Sequence, residues 1–389
     1  MKLGIDILAK SGVSVLRGKK LGILANSASK ASSGVNSVEV LSHGDSGEIT
    51  ALFGPEHGVS LSAQDMEAVS SGKDPNLGVP MHSLYGNTPE SLTPTGEMLA
   101  EIDTLIVDLQ DIGSRYYTYV WTACLSMKAC AEFGKELIVC DRPNPIGGLL
   151  VEGGKIEDGF ESFVGLYSLP ARHGMTIGEI VNFVNDRYEI GAALTIMKME
   201  GWQRSMLWPE TGLCWHDPSP NMKSFEAGLL YPGMCLIEAT NLSEGRGTNE
   251  PFLLVGAPFI DGKVLSREFN SLGLPGISAE DVSFTPSRQK WIDEECFGVR
   301  WHITDKQTFR PYLTGLAFIW IVNRMYSKKG FKWRADPYEF IADKPAIDLL
   351  TGSSAFRESI ASAKIEDLIN FSQTPKELLT LRSEQLIYT

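Results

Sequence analysis

The stretch Thr104 to Tyr119, TLIVDLQDIGSRYYTY, changes character halfway, and that change constrains the fold more than any other feature of the chain. Leu105, Ile106 and Val107 form a short apolar, largely β-branched run of the kind buried on both faces of a parallel sheet. Asp108, Gln110, Asp111 and Arg115 follow, and then Tyr116, Tyr117 and Tyr119. A core strand therefore carries acids, an amide, a guanidinium and phenols at its C-terminal end, which is where open α/β sheets bind ligands. The plainer alternative makes Asp108 to Tyr119 a helix N-terminus, with Asp111 as its cap and Arg115 a solvated partner. Three tyrosines beside two acids and an arginine still make a hydrogen-bonding surface suited to a polar ligand.

Three other runs repeat the pattern. KLGILAN (20–26), EITALF (48–53) and KELIVCD (135–141) each read as a strand, and they give way to NSAS, GPEHG and DRPNPIGG. Helical spacing over Val35 to His43 and a helix over Tyr119 to Phe133 complete β-α-β units, which predict right-handed crossovers and a parallel sheet. Thr176 and Glu179 form a capping box for a helix reaching Tyr188, Leu194 to Met199 alternates as a strand, and Trp208 to Pro220 reads as an ordered loop. After Tyr231 the pattern is less regular: a strand at Met234 to Ala239, the glycine-rich SEGRGTNEP, a strand at Gly298 to Thr304, a helix at Phe309 to Tyr326 and an amphipathic tail from Ala355. A chain of 389 residues suggests two α/β domains, with a boundary between Asn221 and Pro232.

A net charge of −13 and a pI near 5.0 argue against nucleic acid or an anionic membrane as partner. No apolar run reaches the roughly 18 residues that span a bilayer. Asp6, Lys10 and Arg17 interrupt the N-terminus, so no signal peptide is expected and the chain reads as cytoplasmic. The six cysteines contain no C-x-x-C pair and read as buried free thiols. There is no G-x-G-x-x-G after the first strand, no P-loop and no H-E-x-x-H. Gly44-Asp45-Ser46-Gly47 resembles the nucleophile loop of serine proteases, but it falls between a helix and a strand in an α/β chain, which sets it aside.

In GPEHG, Glu56 and His57 follow the second strand, bracketed by glycine and proline, a setting that suits a partly buried carboxyl donating a proton; the alternative is a turn with a solvated Glu and a structural His. The prolines of DRPNP fix a loop that presents Arg142 and Asn144, with a salt-bridged Arg142 as the alternative. NLSEGRGTNE supplies Glu244, Arg246, Thr248 and Asn249 among glycines that let the backbone approach a ligand or simply turn.

The ordered series FGPEHG, PMHSLYG, VDLQDIGSRYYTYVWT, DRPNPIGG, RHGMTIGE, PSPNM, YPGMCLIEATNLSEGRGTNEPF and IDLLTG resembles the NamZ-type exo-β-N-acetylmuramidases over nearly the whole chain. The resemblance implies a glycosidase that releases N-acetylmuramic acid from the non-reducing end of peptidoglycan fragments. It also implies a Rossmann-like parallel-sheet domain (1–228), a smaller α+β domain (229–389) completing a cleft between them, and neither cofactor nor metal. Carried over, the GPEHG acid is Glu56, the D-x-Q-D-x-G-x-R set is Asp108, Gln110, Asp111 and Arg115, and the S-E-G-R-G set is Glu244 and Arg246. The arginine-glycine pair usual after GPEHG is Ser60-Leu61 here, and an export signal of the kind many relatives carry is not expected.

Glu56 is thus the expected general acid, with His57 tuning it and Glu244 or Asp111 as the second carboxylate. Asp108, Gln110, Arg115, Tyr117, Tyr119, Arg142, Asn144, Arg246, Thr248 and Asn249 are expected to hold a muropeptide or muramic-acid saccharide. Arg246 is the first choice for the lactyl carboxylate, with Arg115, which could instead hold Asp111, and Arg142 behind it. A binding protein using the same crevice, and a metal-assisted hydrolase built on Asp108, Asp111 and His57, are the other readings.

Overall fold

Strand β1 (Lys20–Ala25) lies at the middle of the larger sheet, with β2 (Glu48–Gly54) and β5 (Thr104–Asp108) parallel to it on either side. The computed structural model describes residues 1–11, 13–43, 47–58 and 71–389. Beyond β5 come β6 (Glu136–Cys140) and β7 (Leu194–Met197), both parallel. Beyond β2 come β4 (Pro80–Ser83), parallel, and β3 (Gly72–Lys73), which closes that edge antiparallel. The fold is therefore α/β, with a mostly parallel sheet of seven strands among the described residues in the order β3-β4-β2-β1-β5-β6-β7.

The central strands β1, β5 and β6 are buried on both faces, as their apolar runs require. Ile23, Ile106 and Ile138 align in register and pack under one face with Leu3, Ile5 and Trp202. Leu24, Val107 and Val139 face the other way, into a core that also contains Trp121, Leu230 and Phe318. Every strand end that looked polar in sequence belongs to this sheet, so its carboxyl edge carries the loops 26–29, 55–58, 109–118 and 141–148.

A smaller antiparallel sheet has the order β8-β10-β9, from β8 (Leu254–Ala257), β9 (Ile277–Phe284) and β10 (Cys296–Ile303). Met234 to Ala239, expected as a strand, is instead a 3-10 turn, Cys235–Ala239, that continues the helix Phe225–Met234. A short run that is apolar on every side has no readable period, and here it is buried helix. That helix crosses the expected boundary at 221–232, and one core runs from the large sheet into both halves. It meets the helix Pro311–Tyr326 at Gly233 and Gly315, where a Cβ on Gly233 would stand 1.9 Å from Pro311 O. The tail forms the helices Ala355–Ser359, Ile365–Ser372 and Lys376–Ser383 and then returns to the large sheet, where the Tyr388 hydroxyl donates to Asp141 Oδ2 at 2.7 Å.

Five of the six cysteines are buried thiols, whereas Cys214 is exposed. Among the described residues no helix is long and apolar enough to cross a membrane. Gly44, Asp45 and Ser46 of the protease-like loop, and the Ser60-Leu61 pair, lie outside the described residues.

Candidate active site

Strand β2 delivers Glu56. Gly58 N donates to Pro55 O at 2.9 Å, closing a turn in which His57 has φ of 69°, a left-handed conformation that a side chain with a Cβ rarely adopts. Both Glu56 and His57 are buried. Glu56 Oε2 accepts from Thr118 Oγ1 at 2.7 Å, and Thr118 immediately precedes the helix Tyr119–Glu132. The end of β2 and the start of that helix thus hold the carboxyl between them. The Tyr119 hydroxyl donates to Pro218 O at 2.7 Å and lies 3.3 Å from Glu56 O.

These groups line one side of a narrow, largely enclosed cavity. Across it stand Glu238, Arg246, Tyr338 and Glu339. Glu238 Oε1 accepts from Arg246 Nη2 at 2.5 Å, and Oε2 accepts from the Tyr338 hydroxyl at 2.8 Å. Arg246 Nε is 3.2 Å from Glu244 Oε1, so this guanidinium is shared by two carboxylates, and it lies over the Phe252 ring. Glu339 accepts from the Tyr85 hydroxyl at 3.2 Å. It sits in a two-residue turn in which Tyr338 and Ile341 exchange backbone hydrogen bonds of 2.9 Å. Its central residues, Glu339 and Phe340, have φ of 46° and 69°, a geometry that asparagine and glycine normally serve. Burial pushes the Tyr117, Tyr231 and Tyr338 hydroxyls well above the usual phenol range, so they stay protonated and available as donors. Three carboxyl groups, one arginine and neutral phenols therefore meet at one concave site.

Of the residues expected from sequence, Glu56, His57, Tyr117, Tyr119 and Arg246 line this cavity. The others are placed differently. Asp108 is fully buried and takes both Arg142 Nε at 2.5 Å and Nη2 at 2.7 Å, while Ser37 Oγ also donates to it. Arg142 and Gln110 line a separate cleft with Lys30, Trp208 and His216. Arg115 does not hold Asp111: it donates to Leu169 O, Leu350 O and Gly154 O at 2.8, 2.5 and 3.3 Å. Asp111 accepts from Gly113 N at 2.7 Å and lies 3.3 Å from His173 Nε2. Asn144 braces its own loop by donating to Met175 O and accepting from Ile146 N. Thr248 closes a turn onto Gly245 O, and Asn249 is exposed. Glu244 lines an adjoining cavity with Lys290.

Sequence reasoning missed Glu238 and Glu339. Glu238 did carry a signal, as a single charge inside the apolar run MCLIEA. Glu339 carried none, since an acid in the stretch RADPYEFIADK looks like any solvated loop residue.

Residues 21–226 match the family model described as exo-β-N-acetylmuramidase NamZ, N-terminal, and residues 229–388 match its C-terminal counterpart. The chain is 41% identical over 390 residues to the peptidoglycan β-N-acetylmuramidase NamZ of Bacillus subtilis (strain 168), covering 100% of this chain and 91% of that protein. A crystal structure of a DUF1343 family protein from Bacteroides fragilis NCTC 9343 superposes with a TM-score of 0.89 at 31% identity, covering 100% of this chain and 99% of the other. A second DUF1343 protein from the same organism shares the fold at a TM-score of 0.74 and 24% identity, with 100% and 99% covered.

Proposed function

Because the chain belongs to the exo-β-N-acetylmuramidase NamZ family, we infer that it is an exo-acting glycoside hydrolase that releases N-acetylmuramic acid from the non-reducing end of peptidoglycan fragments. Its substrate is a saccharide containing N-acetylmuramic acid, and intact muropeptides fall within the same class. The observation that supports the chemistry is the placing of Glu56, held by Thr118 Oγ1, in one cavity with the carboxyls of Glu238 and Glu339. Glycoside cleavage needs a protonated carboxyl on the leaving oxygen and a second carboxylate.

In this reading Glu56 gives its proton to the glycosidic oxygen as the bond to the anomeric carbon breaks. Glu339 is the second carboxylate, and a water supplies the hydroxyl that ends on the anomeric carbon while its proton returns to the site's carboxyls. Glu238 is tied to Arg246 and to the Tyr338 hydroxyl, and it stabilises positive charge developing on the sugar. The Glu339 carboxylate is presented by a backbone turn unfavourable for its residue types, the kind of strain that collects at functional sites.

Glu339→Gly tests this assignment, since glycine also relieves the positive φ and should leave the fold intact. Release of N-acetylmuramic acid from the disaccharide N-acetylmuramyl-N-acetylglucosamine is expected to fall by at least about 100-fold. Added formate or azide should restore part of it. A variant whose KM alone changes, with no rescue, would remove Glu339 from the reaction. Retention of the disaccharide by the unaltered protein without any release of monosaccharide would replace the enzyme by a binding protein.

A further inference from the structure

Arg142 and Gln110 lie on a cleft that shares no lining residue with the first cavity, the one that holds Glu56. Its place follows from the sheet. From β1 the chain moves outward to β2 and β4 on one side, then returns to β5, β6 and β7 on the other, so the strand order reverses between β1 and β5. Open α/β sheets bind ligands outside the carboxyl ends of the strands at such a reversal. Lys30 follows β1, Gln110 follows β5 and Arg142 follows β6, and the three meet there with Trp208 and His216 from the segment after β7.

The cleft is cationic in a chain whose net charge is −13. Among the described residues no carboxylate lines it. Asp108 is fully buried and bound to Arg142 Nε and Nη2, and Asp217, next to His216, pairs with Lys223 at 3.2 Å. Lys30 Nζ forms no hydrogen bond or ion pair among the described residues. Burial first, and then the charges of Lys30 and Arg142, hold the His216 imidazole below its ordinary pKa, with Asp217 opposing them. The three basic groups are therefore close enough to repel one another, and an anion among them would relieve that repulsion.

The same cleft carries unmet hydrogen-bonding capacity. Gln110 Nε2 donates to Asp111 O and Pro143 O at 2.7 and 3.0 Å, and these bonds fix the amide, yet its Oε1 accepts from no described residue. Trp208 Nε1 likewise has no acceptor among the described residues. Both side chains are more than nine-tenths buried. Buried polar atoms without partners cost stability, and each needs a reason to persist. A hydroxyl-bearing ligand supplies one, since it can donate to Gln110 Oε1 and accept from Trp208 Nε1. Trp215, edge-on at 5.4 Å, fixes the Trp208 ring.

We propose that this cleft is a binding site for a small organic anion, a phosphate or carboxylate on a hydroxyl-bearing frame. Lys30, Arg142 and His216 take the anion, and Gln110 and Trp208 take the hydroxyls. The site stands apart from the glycosidase reading of the first cavity and does not depend on it.

The probes are glucose 6-phosphate and gluconate, with glucose as the neutral control. Calorimetry should show at least one of the anions binding and glucose failing to bind, and the anion that binds more tightly identifies the charged group. Lys30→Met keeps the aliphatic stem of a half-buried surface side chain, so it should fold, and it is expected to weaken binding at least about tenfold; Lys30→Arg should retain most of it. Cys214 reports the location, because it lines the cleft and is exposed whereas the other five cysteines are buried. A bound anion should slow its alkylation by iodoacetamide, and at the same anion concentration Lys30→Met should lose that protection. Turnover of a nitrophenyl N-acetylmuramic acid glycoside by Lys30→Met should match that of the unaltered protein. The proposal is overturned if neither anion binds, if glucose binds as well as they do, if Lys30→Met binds them undiminished, or if a bound anion leaves Cys214 alkylation unchanged. A raised KM for the glycoside in Lys30→Met would also overturn it, by returning the cleft to the substrate.

Discussion

The loop 108–115 and the walls of the first cavity are equally rich in charge, but the fold uses them in opposite ways. In the loop and its surroundings the charged groups are engaged internally: Asp108 with Arg142, Asp111 beside His173, and Arg115 with three carbonyl oxygens. Around the cavity, Glu56, Glu238, Arg246 and Glu339 are also held by neighbours, but each lines the concave space as well. A cluster of polar residues after a core strand therefore locates the working edge of the sheet without identifying the working groups. Fully buried charges need partners whatever their role, and the loop has taken the role of scaffold.

The comparison predicts its largest effect in the scaffold. Arg142→Met leaves the Asp108 carboxylate buried without its guanidinium, and the expected cost is about 3 to 5 kcal/mol of folding stability. Denaturant titration measures it, and kcat/KM of the protein that remains folded should stay near its original value. A variant that folds well and has lost activity would place this loop in the site after all.

Next in size is a pH effect at a second scaffold pair. Glu152 and Arg172 are buried 3.8 Å apart, too far for a strong bond, and Glu152 Oε1 accepts from Leu313 N near the start of the helix Pro311–Tyr326. Burial outweighs Arg172 and pushes the Glu152 carboxyl from 4.5 up to about 7, and burial likewise pulls Arg172 down to about 10. A raised acid contributes stability that is complete below its ordinary value and is lost as pH rises through the folded one. At 1.36 kcal/mol per pH unit the loss is on the order of 3 kcal/mol. Melting temperature should therefore fall between pH 4.5 and about 7, and Glu152→Gln should flatten that fall. An unchanged slope in the variant would mean that another group sets it.

Much of the fold was legible because parallel strands buried on both faces leave uninterrupted apolar runs: β1, β2, β5, β6 and β7 all fall within or beside the expected segments. The strand β9 (ISAEDVSF) was not, because only Ile277, Ala279 and Phe284 of its eight side chains are buried and the apolar alternation breaks at Glu280 and Asp281. In the site, Glu56 was legible because glycine and proline bracket it at a strand end. Glu339 was not, because its place depends on a turn from the far half of the chain folding over the sheet edge. Nothing in a local stretch encodes that meeting.

A smaller effect lies at the seam between the first cavity and the one lined by Glu244. Arg246→Ala removes a cation worth roughly 1.5 to 3 kcal/mol in a charged hydrogen bond, or about 10-fold to 100-fold in affinity. If the guanidinium also meets the lactyl carboxylate, the loss should fall on the muramic substrate and spare weak activity on the N-acetylglucosamine analogue. Equal loss on both sugars would confine Arg246 to holding Glu238 and Glu244.

The central claim is that Glu56, and no acid of the loop, protonates the leaving oxygen. Glu56→Gln, compared on the disaccharide and on a nitrophenyl N-acetylmuramic acid glycoside, tests it most directly. The account predicts at least about a 100-fold loss of rate on the disaccharide and a much smaller loss on the nitrophenyl glycoside, whose leaving group departs without a proton. Equal losses on the two substrates, with folding intact, would contradict it.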